Sequence, residues 1–101
     1  MARKTNNQNQ WFDDCNRDGD RLVKELRRQS RTRGIPMTET QNGSHRKAKF
    51  SATQDTRAGS LVVPMGKEQI QKGTWGSIER TLKLIGILMA LTLVLSILVI
   101  F

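Results

Sequence analysis

Hydrophobic and polar positions fall into distinct regimes along the chain. Residues 1–19 are polar, then acidic, broken by Trp11, Phe12 and Cys15. Residues 20–33, DRLVKELRRQSRTR, place Leu22, Val23 and Leu26 on one narrow stripe. That spacing predicts a short amphipathic helix. From 34 to 76 no period persists. Gly34, Pro36, Asn42-Gly43, Gly59, Pro64 and Gly66 punctuate this stretch, which reads as a flexible linker. Leu61-Val62-Val63 is too brief an apolar patch for a stable strand. The run Leu84–Phe101 then carries no charge and no Pro, and only Gly86, Thr92 and Ser96 interrupt it.

That last run dominates the reading. A hydrocarbon layer about 30 Å thick needs about 20 apolar residues in a helix. Ser77 suits an N-cap and Glu79 a first turn, so the helix is expected to start near Ile78. From there to Phe101 it would extend roughly 36 Å. Thr92 and Ser96 can bond their own backbone carbonyls and do not prevent insertion. The remaining chain offers little apolar area to offset the entropy of ordering it. The expected fold class is therefore a mostly disordered basic tail with one short amphipathic α-helix, a single C-terminal transmembrane α-helix and no globular domain. The segments are 1–19, 20–33, 34–76 and 77–101, the last being a juxtamembrane turn and transmembrane helix.

Charge gives this layout a direction. The 101 residues hold 17 Lys and Arg against 9 Asp and Glu, a net charge of +8. All the basic residues precede the apolar run. The positive-inside rule then expects a single-pass protein of the endoplasmic reticulum or a derived membrane, with its N-terminal tail cytosolic. Trp75, Arg80 and Lys83 suit the headgroup layer. Gly86 and Ala90 form a small-xxx-small pair through which two membrane helices can self-associate. The single cysteine, Cys15, excludes an intramolecular disulfide framework. One His, one Cys and no paired metal ligands give no sign of catalysis, and no cofactor is expected.

The cations are the candidate binding chemistry. Lys24, Arg27, Arg28 and Arg31 share one face of the predicted helix, with Arg21 and Arg33 close by. A second cluster, Arg46, Lys47 and Lys49, is closed by Phe50, an arrangement suited to phosphate contact plus base stacking or ring insertion. The expected partner is a polyanion, RNA or anionic lipid. Asn42-Gly43-Ser44 is a glycosylation sequon, unused if the tail is cytosolic. Asp14, Asn16, Asp18, Gly19 and Glu25 fit the spacing of an EF-hand loop, and this stretch resembles that calcium-binding family. The same residues also read as an acidic turn in which Asp18 or Asp20 caps the following helix.

A short basic chain ending in a hydrophobic segment is similar in layout to viral core proteins of positive-strand RNA viruses of the flavivirus and pestivirus kind. That resemblance covers the whole length and implies RNA binding beside a signal-anchor. Two other readings fit the layout. One is the leader, or cytosolic tail plus signal-anchor, of a viral envelope or type II membrane glycoprotein. The other is a tail-anchored regulator of another membrane protein.

Overall fold

Asp18 opens the first long element. Its backbone is extended and its carboxylate accepts from the N–H groups of Asp20 and Arg21, at 3.0 and 3.3 Å. This satisfies donors that a helix start leaves without partners. A computed structural model describes residues 9–89. In it α1 (Gln10–Asp14) precedes α2 (Gly19–Arg33), which ends at Gly34 in the left-handed region, φ 70°. The N–H of Ile35 donates to the carbonyl of Ser30 at 2.8 Å, closing the helix before Pro36. The buried stripe of α2 is Leu22, Val23, Leu26 and Ser30.

The stretch expected to be a linker forms a sheet. Strands β1 (Met37–Asn42), β2 (His45–Phe50) and β3 (Gly59–Pro64) are antiparallel in the order β1-β2-β3. Asn42 pairs with His45 across a two-residue turn, where Gly43 takes φ 64°. Glycine with a positive φ at the first of the two loop positions, Gly43-Ser44, is the pattern of Gly-first two-residue hairpin turns. Across β2 and β3, Ala48 faces Leu61, Arg46 faces Val63 and Phe50 faces Gly59. Ala48, Phe50, Leu61 and Val63 are buried, whereas His45, Lys47, Lys49, Ser60 and Val62 are exposed. Side chains alternate along a strand, so one face meets the helices and the other meets solvent.

Helix α3 (Lys72–Ile85) closes the inner face with Ile78, Leu82 and Ile85. It begins at Lys72, with Gln71 at the N-cap, rather than at Ile78 behind Ser77. It also stops early. Gly86 takes φ 103°, and the N–H groups of Gly86 and Ile87 both donate to the Leu82 carbonyl at 3.0 Å. Ile87 and Leu88 then turn into the core. Asn9 and Met89 close the described chain on itself. The Asn9 Nδ2 donates to the Met89 carbonyl at 3.0 Å, and the Met89 N–H donates to Asn9 Oδ1 at 2.9 Å.

These findings correct the expected fold class. Among the described residues no helix is long and apolar enough to cross a membrane. The expectations of a membrane-spanning helix, of a single-pass endoplasmic-reticulum location and of a disordered tail are overturned together. The reason is where the start of the apolar run goes. Ile85, Ile87 and Leu88 join Phe12, Leu22, Leu26, Phe50, Val63 and Leu82 in one core. Burying three such side chains contributes about 5–9 kcal/mol, comparable to the whole net stability of a small domain. That part of the run supplies the apolar area the rest of the chain lacks. The portion of the expected membrane helix over 90–101 lies outside the described residues.

Two expectations test this packing. A Cβ at Gly19 would collide with the Pro64 carbonyl oxygen, whereas one at Gly66 would meet nothing within 4 Å. Gly19→Ala is therefore expected to cost about 1–3 kcal/mol through overpacking, and Gly66→Ala less than about 0.5 kcal/mol. Urea unfolding of the two variants measures the difference, and equal midpoints would contradict the packing. Cys15 is 2% exposed, and burial, helped by the nearby Glu25 and Asp14 carboxylates, pushes its thiol up to about 11. Alkylation near pH 8 should be slow in the native protein and fast in urea. Because the native value is raised, the thiol's contribution to stability is present below its ordinary value and is lost as pH rises through about 11. Rapid alkylation without denaturant would restore the disordered-tail reading.

Candidate functional site

The cations singled out from the sequence are divided by the fold into two kinds. One kind holds the structure together. Glu39 on β1 receives Arg27 of α2 in a two-pronged contact, Nε to Oε2 at 2.6 Å and Nη2 to Oε1 at 2.9 Å. Arg46 of β2 donates to the same carboxylate at 3.0 Å, and also to Gln41. The Arg46 Nε is buried without a hydrogen-bond partner, which makes the guanidinium dependent on its remaining contacts. Arg33 donates through Nη1 to the Ile87 carbonyl at 2.6 Å, tying the end of α2 to the chain beyond α3. These three arginines are spoken for internally.

The other kind faces solvent on two surfaces. Lys47 and Lys49 stand on the outer face of the central strand, with His45. Lys47 lies between Thr40 and Val62, and Lys49 lies between Thr38 and Ser60. All of these flanking positions are exposed, and none is a carboxylate. Arg21, Lys24, Arg28 and Arg31 form an exposed row on α2. Arg28 engages Glu25 at 2.9 Å, while among the described residues Arg21, Lys24 and Arg31 have no ion pair. The Arg28 contact holds the Glu25 carboxyl below its ordinary value, with a smaller contribution from Gln29. A hollow of about 390 Å³ beside this row is lined by Trp11, Asp14, Cys15, Arg21, Lys24, Glu25 and Arg28.

The remaining sequence-marked residues have structural positions. Phe50, expected to stack on a base or enter a membrane, is 1% exposed in the core. Trp75 is half-buried and stacks on Phe12, with centroids 4.2 Å apart and planes 17° from parallel. Arg80 donates to Ser77 at 3.1 Å, and Lys83 pairs with Glu79 at 3.3 Å, one turn apart on α3. Gly86 is the helix stop, and Ala90 lies outside the described residues. In the calcium-loop candidate, Asp14 accepts from Gln10, Asn16 takes φ 55°, Asp18 caps α2 and Glu25 is held by Arg28. Among the described residues no three His, Cys, Asp or Glu side chains gather as a metal site.

Sequence reasoning grouped Arg46 with Lys47 and Lys49, and Arg27 with Lys24, Arg28 and Arg31. The strand alternation and the helix orientation separate them. The signal for the first split is the pattern Arg46, Ala48, Phe50 at alternate positions, which places Arg46 with the apolar residues. The missed feature was the outer sheet face itself, including Thr38, Thr40, His45 and Ser60. Compared with family models, with curated proteins and with solved structures, the chain shows no match.

The Arg27–Glu39–Arg46 cluster has a defined acid dependence. The Arg27 hydrogen bonds, then those of Arg46, hold the Glu39 carboxyl below its ordinary value of 4.5. Its contribution is fully present above that pH and is lost as pH falls through the lower native value. Glu39→Gln should remove this part of the acid sensitivity. Near neutrality it should cost on the order of 1 kcal/mol, a figure kept small because solvent screens the partly exposed Arg27. Urea midpoints measured from neutrality down to about pH 3 check this. Parallel profiles for the two proteins would show the cluster to be energetically idle.

Proposed function

We propose that this domain binds single-stranded RNA through the outer face of its sheet, by contacts to phosphate and sugar rather than to bases. The observation that carries the reading is the central strand. Lys47 and Lys49 point to the same side, are exposed, and are flanked by Thr38, Thr40 and Ser60 without a carboxylate. Alternate residues on a strand are about 6.8 Å apart. That is about twice the roughly 3.4 Å rise per nucleotide of a stacked strand. A backbone lying along β2 can thus present phosphates to both lysines. The hydroxyls beside the lysines suit the ribose 2′-OH, which both donates and accepts.

The face also argues for low sequence preference. Base stacking needs exposed rings; Phe50 is turned inward, and among the outward-facing strand residues the one exposed ring is His45, at one end of β2. Val62, 47% exposed, is the one apolar side chain among the outward-facing strand residues named above. A surface so polar favours a nucleic-acid backbone over an apolar partner. Binding of this kind draws its free energy from release of counterions, with affinities of roughly 10⁻⁴–10⁻⁶ M at physiological salt.

The test is the salt dependence of binding to a homopolymeric RNA oligonucleotide. The slope of log K against log salt is about −0.7 per phosphate contact for a single strand. Lys47→Gln with Lys49→Gln should therefore make the slope shallower by about 1.4. The protein should keep its urea midpoint, since both side chains are exposed. Absence of RNA binding at low salt, or an unchanged slope in the double variant, would refute the reading. Binding to anionic vesicles without binding to RNA would do so as well.

A further inference from the structure

The cations of α2 do not share a surface with those of β2. Leu22, Val23, Leu26 and Ser30 of α2 are buried toward the sheet. At 100° per residue, the row Arg21, Lys24, Arg28 and Arg31 is centred about 165° around the helix from that stripe. Arg27, at the border between the two, reaches the sheet's inner face through Glu39. The row therefore points away from the sheet, while Lys47 and Lys49 point away from the helices. The molecule has two layers, and each carries a basic surface on its outer side.

We infer that one copy of this domain holds two RNA segments at once, one on the sheet face and one on the α2 row, and so bridges them. The inference rests on the sheet-face reading and adds a second, opposed site for the same ligand. Charge complementarity commits the row to a phosphodiester chain. Residues three and four apart on a helix stack one above another, so four cations make a continuous line. Three of them have no ion pair among the described residues. Trp11, partly buried against the core, lines the hollow beside Arg21, Lys24 and Arg28; the Asp14 and Glu25 carboxylates line it too, so the row's three arginines and its lysine, rather than the hollow, carry the phosphate contacts. The two lines lie on opposite sides of the domain, so a strand too short to pass around its edge meets one line at a time.

Bridging and binding are separated by a sandwich experiment with the full chain. One RNA oligonucleotide is fixed to beads, and a second, non-complementary and labelled, is in solution. The protein should retain the label on the beads. Retention should rise and then fall as protein is added, because excess protein occupies each strand separately. A variant with Arg21→Gln, Lys24→Gln, Arg28→Gln and Arg31→Gln should still bind the fixed RNA but retain about tenfold less label. Lysines in place of Arg21, Arg28 and Arg31 should preserve retention, and slow Cys15 alkylation in each variant verifies folding. Full retention by the glutamine variant would show that bridging arises through self-association, and would overturn the inference. So would binding of the fixed RNA without retention by the unmodified protein, a result that leaves the sheet-face reading standing. Failure to bind the fixed RNA would bring down both.

Discussion

Burial of Ile85, Ile87 and Leu88 beneath the sheet is the contact on which the remaining structure depends. A domain of this size has a small core, and its margin is correspondingly thin. The strands contribute few buried side chains, chiefly Ala48, Phe50, Leu61 and Val63. β1 contributes no fully buried residue. Without the end of α3 and the turn after it, the sheet would have one helix to rest on and an open flank. Gly86 makes the contact possible, because its left-handed backbone redirects the chain inward at the point where a straight helix would carry it away. The Arg57 N–H bond to the Ile85 carbonyl, 2.8 Å, and the Arg33 bond to the Ile87 carbonyl, 2.6 Å, then fasten the segment from both sides.

Charge is distributed around that core by a simple division of labour. Glu39 draws Arg27 and Arg46 into a cross-link between helix and sheet, and its half-buried position makes the contact more than a surface pair. Glu25 engages Arg28 at the surface, where solvent weakens the attraction. Arg33 is tied to the Ile87 carbonyl, and the other basic side chains of α2 and β2 are left to solvent. A net charge of +8 repels itself in the compact state. Placing one carboxylate between Arg27 and Arg46 offsets part of that repulsion beside the sheet's inner face. What remains is displayed outward to solvent.

The helix of residues 20–33 was legible because its stripe, its acidic start and its glycine end all agree; the structure has α2 over Gly19–Arg33. Of the two readings of the acidic turn, the cap is the one Asp18 adopts. The strands were not legible, for a physical reason. Only Ala48 and Phe50 mark the buried face of β2, and the intervening lysines make HRKAKF resemble a disordered basic cluster. Residues 37–42, MTETQN, carry no apolar alternation at all, and pairing with β2 across the Gly43-Ser44 turn defines them as a strand. The start of the final run was expected in lipid, whereas Ile85, Ile87 and Leu88 pack in the protein's own core. Composition alone does not say whether a side chain is sheltered by lipid or by its own protein. The candidate site was legible as a set of cations, but not as surfaces, because strand register and helix rotation decide which of them point outward.

The paired hydrogen bonds between Asn9 and Met89 bring the two ends of the described chain side by side. Chain arriving at one end and chain leaving at the other therefore meet the domain at a single point. Mechanically the domain hangs like a pendant. Tension drawn through both ends falls first on those two bonds and on the short α1, and reaches the sheet only after they part. A domain closed in this way can be carried within a longer polypeptide as a single side loop.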